Sequence, residues 1–338
     1  MTARSLSFTG AGHVEVREKP IPEPAADEVR VRTEVSAISP GTELRIYRGE
    51  APTEMAIDET IDALPGRFEF PFTYGYAAVG RVTAIGSNIA DEWIDTAVFA
   101  FHPHESHFTV SPDELVSLPE DCSMETAAFL ANVESAVNFL MDGRPVVGEC
   151  VAVFGQGVVG LLTTALLSQY PLESLITVDL YERRRELSER LGADKALDPD
   201  VTDIVERLRD NHELGGTDLA YELTGDPDAL NQAIDAMAYD SRLVIGSWYG
   251  SNRVALNLGG RFHRNRGRLV SSQVSTISPQ FSGRWSKDRR LDVAWDRLDG
   301  LEPTELITHR VPIERASEAY RMLDERPQEA VQVLLTYD

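Results

Sequence analysis

The sequence is poor in cysteine and almost without lysine. Cys122 and Cys150 are its two thiols, too few for a disulfide framework and lacking metal-ligand spacing, which suits a reducing cytoplasm. Both read as buried small hydrophobes. No window approaches the roughly 18 apolar residues that a bilayer-spanning helix needs, and the opening MTARSLSFTGAGHVEVRE carries no apolar targeting stretch. The expected location is therefore the cytoplasm, with no membrane partner. Internal repeats, low-complexity runs and flexible linkers are also missing. Positive charge is scarce: 32 Lys and Arg stand against 55 Asp and Glu, a formal net charge of -23, and lysine occurs only at Lys19, Lys195 and Lys287. So negative a field repels phosphate backbones, which excludes nucleic acid as a partner.

The acidic excess has two readings. One is a solubilising surface combined with drift toward arginine codons. The other is a halophilic host, where dense carboxylates stay hydrated and salt screens the self-repulsion that would loosen the fold in dilute buffer. The remaining composition is that of a globular protein: 338 residues, 42% hydrophobic and 26% charged, enough for about two domains.

Up to about residue 120 the chain alternates in short segments such as EVRVRTEVSAI (Glu28 to Ile38) and AAVGRVTAIG (Ala77 to Gly86), punctuated by proline and glycine. This predicts an irregular β-domain. APTEMAIDETIDALPGRF (Ala51 to Phe68) reads as an acidic, helical insertion. From METAAFLANVESAVNFLMDG onward, apolar residues take helical spacing, and strands then alternate with helices: ECVAVFG, VVGLLTTALLSQY, SLITVDL, ERRRELSERLG, DLAYELTG, DALNQAIDAMA and SRLVIGSW. Such alternation predicts an α/β, doubly wound parallel sheet. After about residue 270 come SSQVSTISPQ, a helical RRLDVAWDRLDG, LITHRVPI, ERASEAYRMLDE and a last strand AVQVLLTY. The tail is too short for a core of its own and is expected to rejoin the first domain.

Within this pattern, VAVFGQGVVG places an apolar strand before Gly155, Gly157 and Gly160 at the start of a helix. In a GxGxxG turn the first glycine permits the tight bend and the second lets backbone approach a pyrophosphate. The third allows close helix–strand packing, while the N–H groups of the helix start face the anion. Gly155, Gln156, Gly157, Val158, Val159 and Gly160 are thus the candidate phosphate cradle. Asp179 follows about 20 residues beyond, at the end of the next strand, where a carboxylate binds both ribose hydroxyls and repels the 2′-phosphate of NADP. That favours NAD. Arg184, between Arg183 and Arg185, could hold a phosphate instead and leaves NADP open, or these arginines form a solvated helix face. Thr224 with Gly225, and Gly246 to Trp248 through Ser247, end later strands, where ligands bind in open α/β sheets.

With that turn in place the whole chain resembles the medium-chain dehydrogenase/reductase superfamily, the zinc alcohol dehydrogenase-like proteins. The likeness runs through GTELRIYRGE, AAVGRVTAIGSN, SLPEDCSMETAAFL, the glycine turn, RLGADKALDP and LITHRVPIERASEAYRML, in the family's order. It implies a GroES-like β-domain over residues 1–125 and 272–338, a Rossmann domain over 126–271, a cleft site, a small-molecule substrate and a homodimer.

The family's zinc enzymes hold the metal with a Cys in a CGTD-like motif, a His in GHE, and a third Cys or acid near the following helix. Here the text is SPGTE, GYA and AFLANVES, so that Ser39 or Pro40 stands for the Cys, Tyr76 for the His and Ala77 for the Glu that follows it. Neutral hydroxyls offer zinc neither charge nor softness, and the four-cysteine structural loop is missing. No zinc is expected. His102, His104 and His107 form an HxHxxH run that keeps a metal reading open beside the simpler one of turn hydrogen bonds, with Glu43 and Glu134 as supplementary ligands. Without a Lewis acid, the resemblance makes Tyr76 the first candidate for proton donor, with Thr42 and Glu43 at the motif's hydroxyl and acid positions. Glu134 and Asn132 lie at the helix start facing the nicotinamide. The plainer alternatives are a volume-filling Tyr76, a Thr42 that caps a helix beginning at Glu43, a buried structural Glu43 paired with an arginine, and a solvated or salt-bridged Glu134. SSQVSTI and the Arg284–Trp285 pair, with SPGTE and YGYAAVG, are similar to the bacteriochlorophyllide dehydrogenases, which implies a bulky or unusual substrate.

Three functions remain: a zinc-independent NAD(P)-dependent oxidoreductase acting on an alcohol/carbonyl pair or activated alkene, a zinc alcohol dehydrogenase with non-standard ligands, and a non-catalytic NAD(P)H-binding sensor. The charge balance also sets an expectation for stability. On a halophilic reading the melting temperature rises from dilute buffer to about 1 M salt, where the Debye length falls to about 3 Å. A thermal unfolding series in KCl that stays flat would leave only the solubilising surface.

Overall fold

The computed structural model describes residues 2–210 and 215–338. The chain divides into two compact units, residues 1–131 with 298–338 and residues 132–297. Among the described residues no helix is long and apolar enough to cross a membrane.

The first unit is built on β-structure, as the alternating text requires. Strands Thr2–Gly10, His13–Pro20 and Phe72–Thr73 form a three-stranded antiparallel sheet. A larger sheet runs, in spatial order, Ile307–Pro312, Gln332–Thr336, Val29–Ala37, Ala78–Ile85, Ala97–Ala100 and Leu115–Ser117, with His107–Val110 also paired to Val29–Ala37. Alternate residues of its central strands, Val29 and Val31, Ala78 and Val82, Val98 and Ala100, pack into one buried cluster with Phe108 and Val110. The tail rejoins this unit through its last strand: Leu334, Leu335 and Thr336 pair antiparallel with Ala37, Ser36 and Val35. Burying that strand between two others satisfies its backbone and its apolar side chains together.

The second unit holds a six-stranded parallel sheet in the order Lys195–Leu197, Ser174–Val178, Cys150–Phe154, Thr217–Glu222, Met237–Ile245 and Arg268–Ser271. The helical segments Val158–Leu167, Glu182–Arg190, Ile204–Asp210 and Pro227–Asp235 fall between strands in sequence. Cys150–Phe154 is buried along its whole length, as a central parallel strand must be. The expected α/β architecture, a β-domain with a doubly wound parallel sheet, is observed. The outer strands Lys195–Leu197 and Arg268–Ser271 are short and have weak period-2 patterns, and they were not anticipated.

Three local expectations are corrected. Residues 51–68 are turns and bends with one isolated bridge, Ala56 to Arg67, rather than a helix. The Asp58 carboxylate accepts the Thr60 N–H at 2.6 Å and the Ile61 N–H at 3.0 Å, a local turn that competes with helical bonding. The helix containing Thr42 begins at Pro40 with Ser39 as its N-cap, so Thr42 lies inside it and caps nothing. Cys122 is half-exposed in a loop, while Cys150 is buried. Residues 272–297 pack within the second unit.

Candidate active site

In the second unit the glycine turn has the geometry that its three positions require. Gly155 has φ +92, and a Cβ there would lie 2.8 Å from the Leu223 carbonyl carbon. Gly160 comes so close to the Gly155 carbonyl oxygen that any side chain would overlap it. Gly157, the N-cap of Val158–Leu167, faces open space and makes no side-chain cap bond. The first bond of that helix is Leu161 N–H to Gly157 O at 2.9 Å. The amides of Val158, Val159 and Gly160 therefore lack intrahelical acceptors and can meet an anion. Gln156 turns inward: its side chain donates to Gly155 O at 3.1 Å and accepts from Thr164 at 3.0 Å, which leaves its backbone as the part near the turn.

Asp179 ends Ser174–Val178 and is 8% exposed. Its carboxylate accepts the Gln156 N–H at 2.7 Å and the Tyr181 N–H at 2.8 Å, so one side chain fixes both the glycine turn and the bend after its own strand. Arg184 lies over the Tyr181 ring, 4.8 Å from its centroid, with Nη1 3.9 Å from the Asp179 carboxylate. Arg185 is committed to Asp198 and to the carbonyls of Asp179 and Leu180, and Arg183 is exposed.

The Thr224 and Gly246 turns meet at a residue that sequence reasoning missed. Glu222 is fully buried. One of its oxygens accepts the N–H groups of Thr224 and Gly225 at 2.6 and 3.0 Å, and the Thr224 hydroxyl as well; the other accepts Tyr249 at 2.9 Å. Its carbonyl takes Gly246 N–H at 3.1 Å and the Ser247 hydroxyl at 3.3 Å. Trp248 follows, half-buried. The available signal was an acid in the apolar text DLAYELTG, since a carboxylate inside a buried strand must have partners.

Glu134 and Asn132 are buried on the helix Leu130–Gly143. Glu134 is held by Arg290, whose Nε and Nη2 reach Oε1 at 3.1 and 2.8 Å. Burial raises the Glu134 carboxyl and Arg290 opposes that rise. The salt-bridged alternative describes its setting.

In the first unit, Tyr76, Ser39 and Thr42 form a group of neutral hydroxyls. Tyr76 donates to Ser39 Oγ and is also bonded to the Thr42 side chain. Glu43 lies beneath at zero exposure: Oε1 accepts Ser39 N–H at 2.7 Å, and Oε2 takes the Tyr320 hydroxyl and lies 3.1 Å from His104 Nε2. His104 continues through Nδ1 to Ser36 at 2.7 Å, and Ser36 to Tyr337 at 2.7 Å. Gly75, with φ +126, makes room for this imidazole, because a Cβ there would stand 2.8 Å from its ring. Glu43 is thus a structural acid, paired with a histidine and a tyrosine rather than with an arginine.

The three histidines part company. His102 stacks on Phe108 with ring centroids 3.7 Å apart, His104 joins Glu43, and His107 bonds Ser106 at 3.1 Å. Among the described residues no group of three or more His, Cys, Asp and Glu is placed to hold a metal. Ser39 and Tyr76, at the family's ligand positions, bond each other and present no anionic donor, so they do not fit a zinc ion.

Residues 158–287 match the family model for zinc-binding dehydrogenases. The chain is 26% identical over 329 residues to the D-guloside 3-dehydrogenase of Escherichia coli K12, covering 92% of this chain and 93% of that one. It is also 26% identical over 275 residues to an L-threonine 3-dehydrogenase of Caldanaerobacter subterraneus, covering 72% and 75%. Among solved structures, an alcohol dehydrogenase from E. coli CFT073 in complex with NADH superposes with TM-score 0.80 at 20% identity over 99% of both chains. A Sinorhizobium meliloti 1021 chain described as a zinc-binding dehydrogenase, bound to NADP, gives 0.79 at 20% identity over the whole of both. The fold is that of the alcohol dehydrogenase-like proteins. These likenesses support the NAD(P)-dependent dehydrogenase class that the sequence resemblance implied.

His102 supplies a test of the separated histidines. Burial pushes its imidazole down to about 4 from an ordinary value near 6.5, against the opposing pull of Glu105. As pH falls from about 6.5 to about 4, the unfolded chain takes a proton that the folded one refuses, and stability is lost across that window. His102→Asn removes this term, so the stability gap between wild type and variant in urea unfolding narrows from pH 7 to pH 4.5. A constant gap would show that His102 is not held neutral.

Proposed function

We propose that this protein is a cytoplasmic, zinc-independent NAD(P)-dependent oxidoreductase, a homodimer that interconverts an alcohol and its carbonyl compound, with Tyr76 as the proton donor. The observation that carries the reading is the hydrogen-bonded hydroxyl group of Tyr76, Ser39 and Thr42 at the positions where the family's enzymes ligate zinc. Two similar relatives, named 3-dehydrogenases of a D-guloside and of L-threonine, support an internal, secondary alcohol as the substrate group.

The residues that would hold the dinucleotide are the amides of Val158, Val159 and Gly160 for the pyrophosphate and Asp179 for the adenosine ribose. The turns at Thr224 and at Gly246 to Trp248 would take the remainder. When bound, the nicotinamide supplies the carbon that gives or takes hydride. An anionic Asp179 and an Arg185 already committed elsewhere favour NAD over NADP.

Burial raises the Tyr76 phenol, and its bonds to Ser39 and Thr42 oppose that rise. Tyr76 therefore stays protonated through neutral pH and can donate to a developing alkoxide. Ser39 and Thr42 hold the phenol oxygen in place, and Glu43 fixes Ser39 through its backbone N–H.

Elemental mass spectrometry with NADH and NADPH fluorescence titrations tests this function. The expected result is less than about 0.1 zinc per chain with saturable NADH binding tighter than NADPH binding, and a preference that shifts toward NADPH in Asp179→Ala. Near-stoichiometric zinc would overturn the metal-free reading, and tight NADH binding without turnover on any secondary alcohol or ketone would make the chain a sensor.

Tyr76→Phe, assayed on any substrate so found, lowers kcat for carbonyl reduction by about 100-fold or more, the usual scale of general acid catalysis. In wild type, that rate stays level through neutral pH and falls only at alkaline pH as the phenol ionises. An unchanged kcat in Tyr76→Phe would remove it as the donor.

A further inference from the structure

Among the described residues Arg290 is the largest fully buried side chain, at zero exposure, and nothing in the proposed chemistry uses it. A guanidinium out of water needs every donor satisfied and a counter-charge nearby. Its five N–H groups make five hydrogen bonds to four acceptor atoms. Nε and Nη2 go to Glu134, Nη1 goes to Asn138 Oδ1 at 2.6 Å and to Thr276 O at 3.1 Å, and Nη2 also reaches Val274 O. Glu134, Asn138 and Asp142 lie at i, i+4 and i+8, one stripe along the helix Leu130–Gly143. Ser272 closes the far end of the stripe, donating to Asp142 at 2.6 Å and accepting from Asn138 at 2.9 Å.

These bonds act on one segment. Residues 272–276 leave the carboxyl end of the edge strand Arg268–Ser271, and Ser272 N–H is bound to Ile245 O at 3.0 Å, at the end of the neighbouring strand. The segment therefore begins on the side of the sheet where α/β proteins bind ligands. The carbonyls of Val274 and Thr276 point to Arg290, while the side chains of Gln273 and Ser275 between them bond each other. Without the guanidinium those two carbonyls lose their partner, and the segment has no regular secondary structure of its own to hold it.

The glycine turn and Asp179 stand at the ends of Cys150–Phe154 and Ser174–Val178, the half of the sheet that suits the adenosine and pyrophosphate. Strands Thr217–Glu222, Met237–Ile245 and Arg268–Ser271 remain for the other half of a dinucleotide. We propose that Arg290 is a positioning residue for the nicotinamide half of the cofactor: it locks residues 272–276 onto the helix Leu130–Gly143 so that they form a preorganised wall beyond the ends of these strands. The inference rests on the dinucleotide reading above and concerns only where its reduced ring is held.

Full-length wild type and Arg290→Lys are titrated with NADH and with ADP-ribose, which carries everything but the nicotinamide. Lysine keeps the charge but has three donors and no planar fork, so the wall loosens. The dissociation constant for NADH rises about 10-fold, the scale of one charge-assisted hydrogen bond, while that for ADP-ribose stays within about twofold. If both ligands weaken equally, or neither does, Arg290 is only structural and the inference fails. If wild type binds neither ligand, the dinucleotide reading itself is wrong. Should Arg290→Lys fail to fold, Glu134→Gln, which keeps an acceptor oxygen for Arg290, carries the same comparison with the same outcomes.

Discussion

A charged or polar group taken out of water must find its partners inside the fold, and this constraint sets the local geometry around each candidate residue. Glu43, Glu222, Arg290 and His104 all have zero exposure. Their partners are assembled by the fold: Ser39, His104 and Tyr320 on Glu43, the turns after two neighbouring strands on Glu222, and a helix with an irregular segment on Arg290. An unsatisfied buried group costs about 1 to 3 kcal/mol or more, so these contacts hold their backbones in one arrangement. The candidate hydroxyls of Ser39 and Tyr76 and the turns at Thr224 and Gly246 are thereby held by buried acids.

That support decides which chemistry is available. A zinc site needs anionic or imidazole donors converging on one point. Here the acid and the imidazole, Glu43 and His104, bind each other one layer below, and the layer above is left with neutral oxygen atoms, Tyr76, Ser39 and Thr42. A phenol that burial keeps protonated is suited to giving a proton, and less suited to polarising a carbonyl by charge. The second unit follows the same logic: Asp179 ties the glycine turn through Gln156 N–H and the bend after its own strand through Tyr181 N–H.

Much of the fold could be read along the chain because its signals are local. The alternation of Val29, Val31 and their neighbours marked a half-buried strand, the continuous apolar run of Cys150–Phe154 marked a central parallel one, and GxGxxG fixed the turn between strand and helix. Local text misled where it was ambiguous. Residues 51–68 have the acidic and apolar spacing of a helix, yet Asp58 ties the backbone into a turn. The short outer strands carry too few residues for a period to show. In the candidate site, Tyr76, Thr42 and the glycine turn were legible by position in a motif. Arg290 was not, because its partners lie far apart in sequence, and Glu222 showed only as an acid in an apolar strand.

The sequence by itself determined the two-part organisation, the parallel sheet, the glycine turn with the acid that follows it, and the neutral Ser39 and Tyr76 where the family resemblance would put metal ligands. Each of these follows from residue type at short spacing. Only the tertiary structure decided that the three histidines diverge, that Glu43 and Glu134 are paired rather than free, and that residues 272–297 belong with the parallel sheet. Those outcomes depend on which buried groups meet in the folded chain, some of them more than a hundred residues apart, as Arg290 and Asn138 are. Spacing along a chain does not encode such meetings, because they are selected by desolvation and packing once the elements have come together.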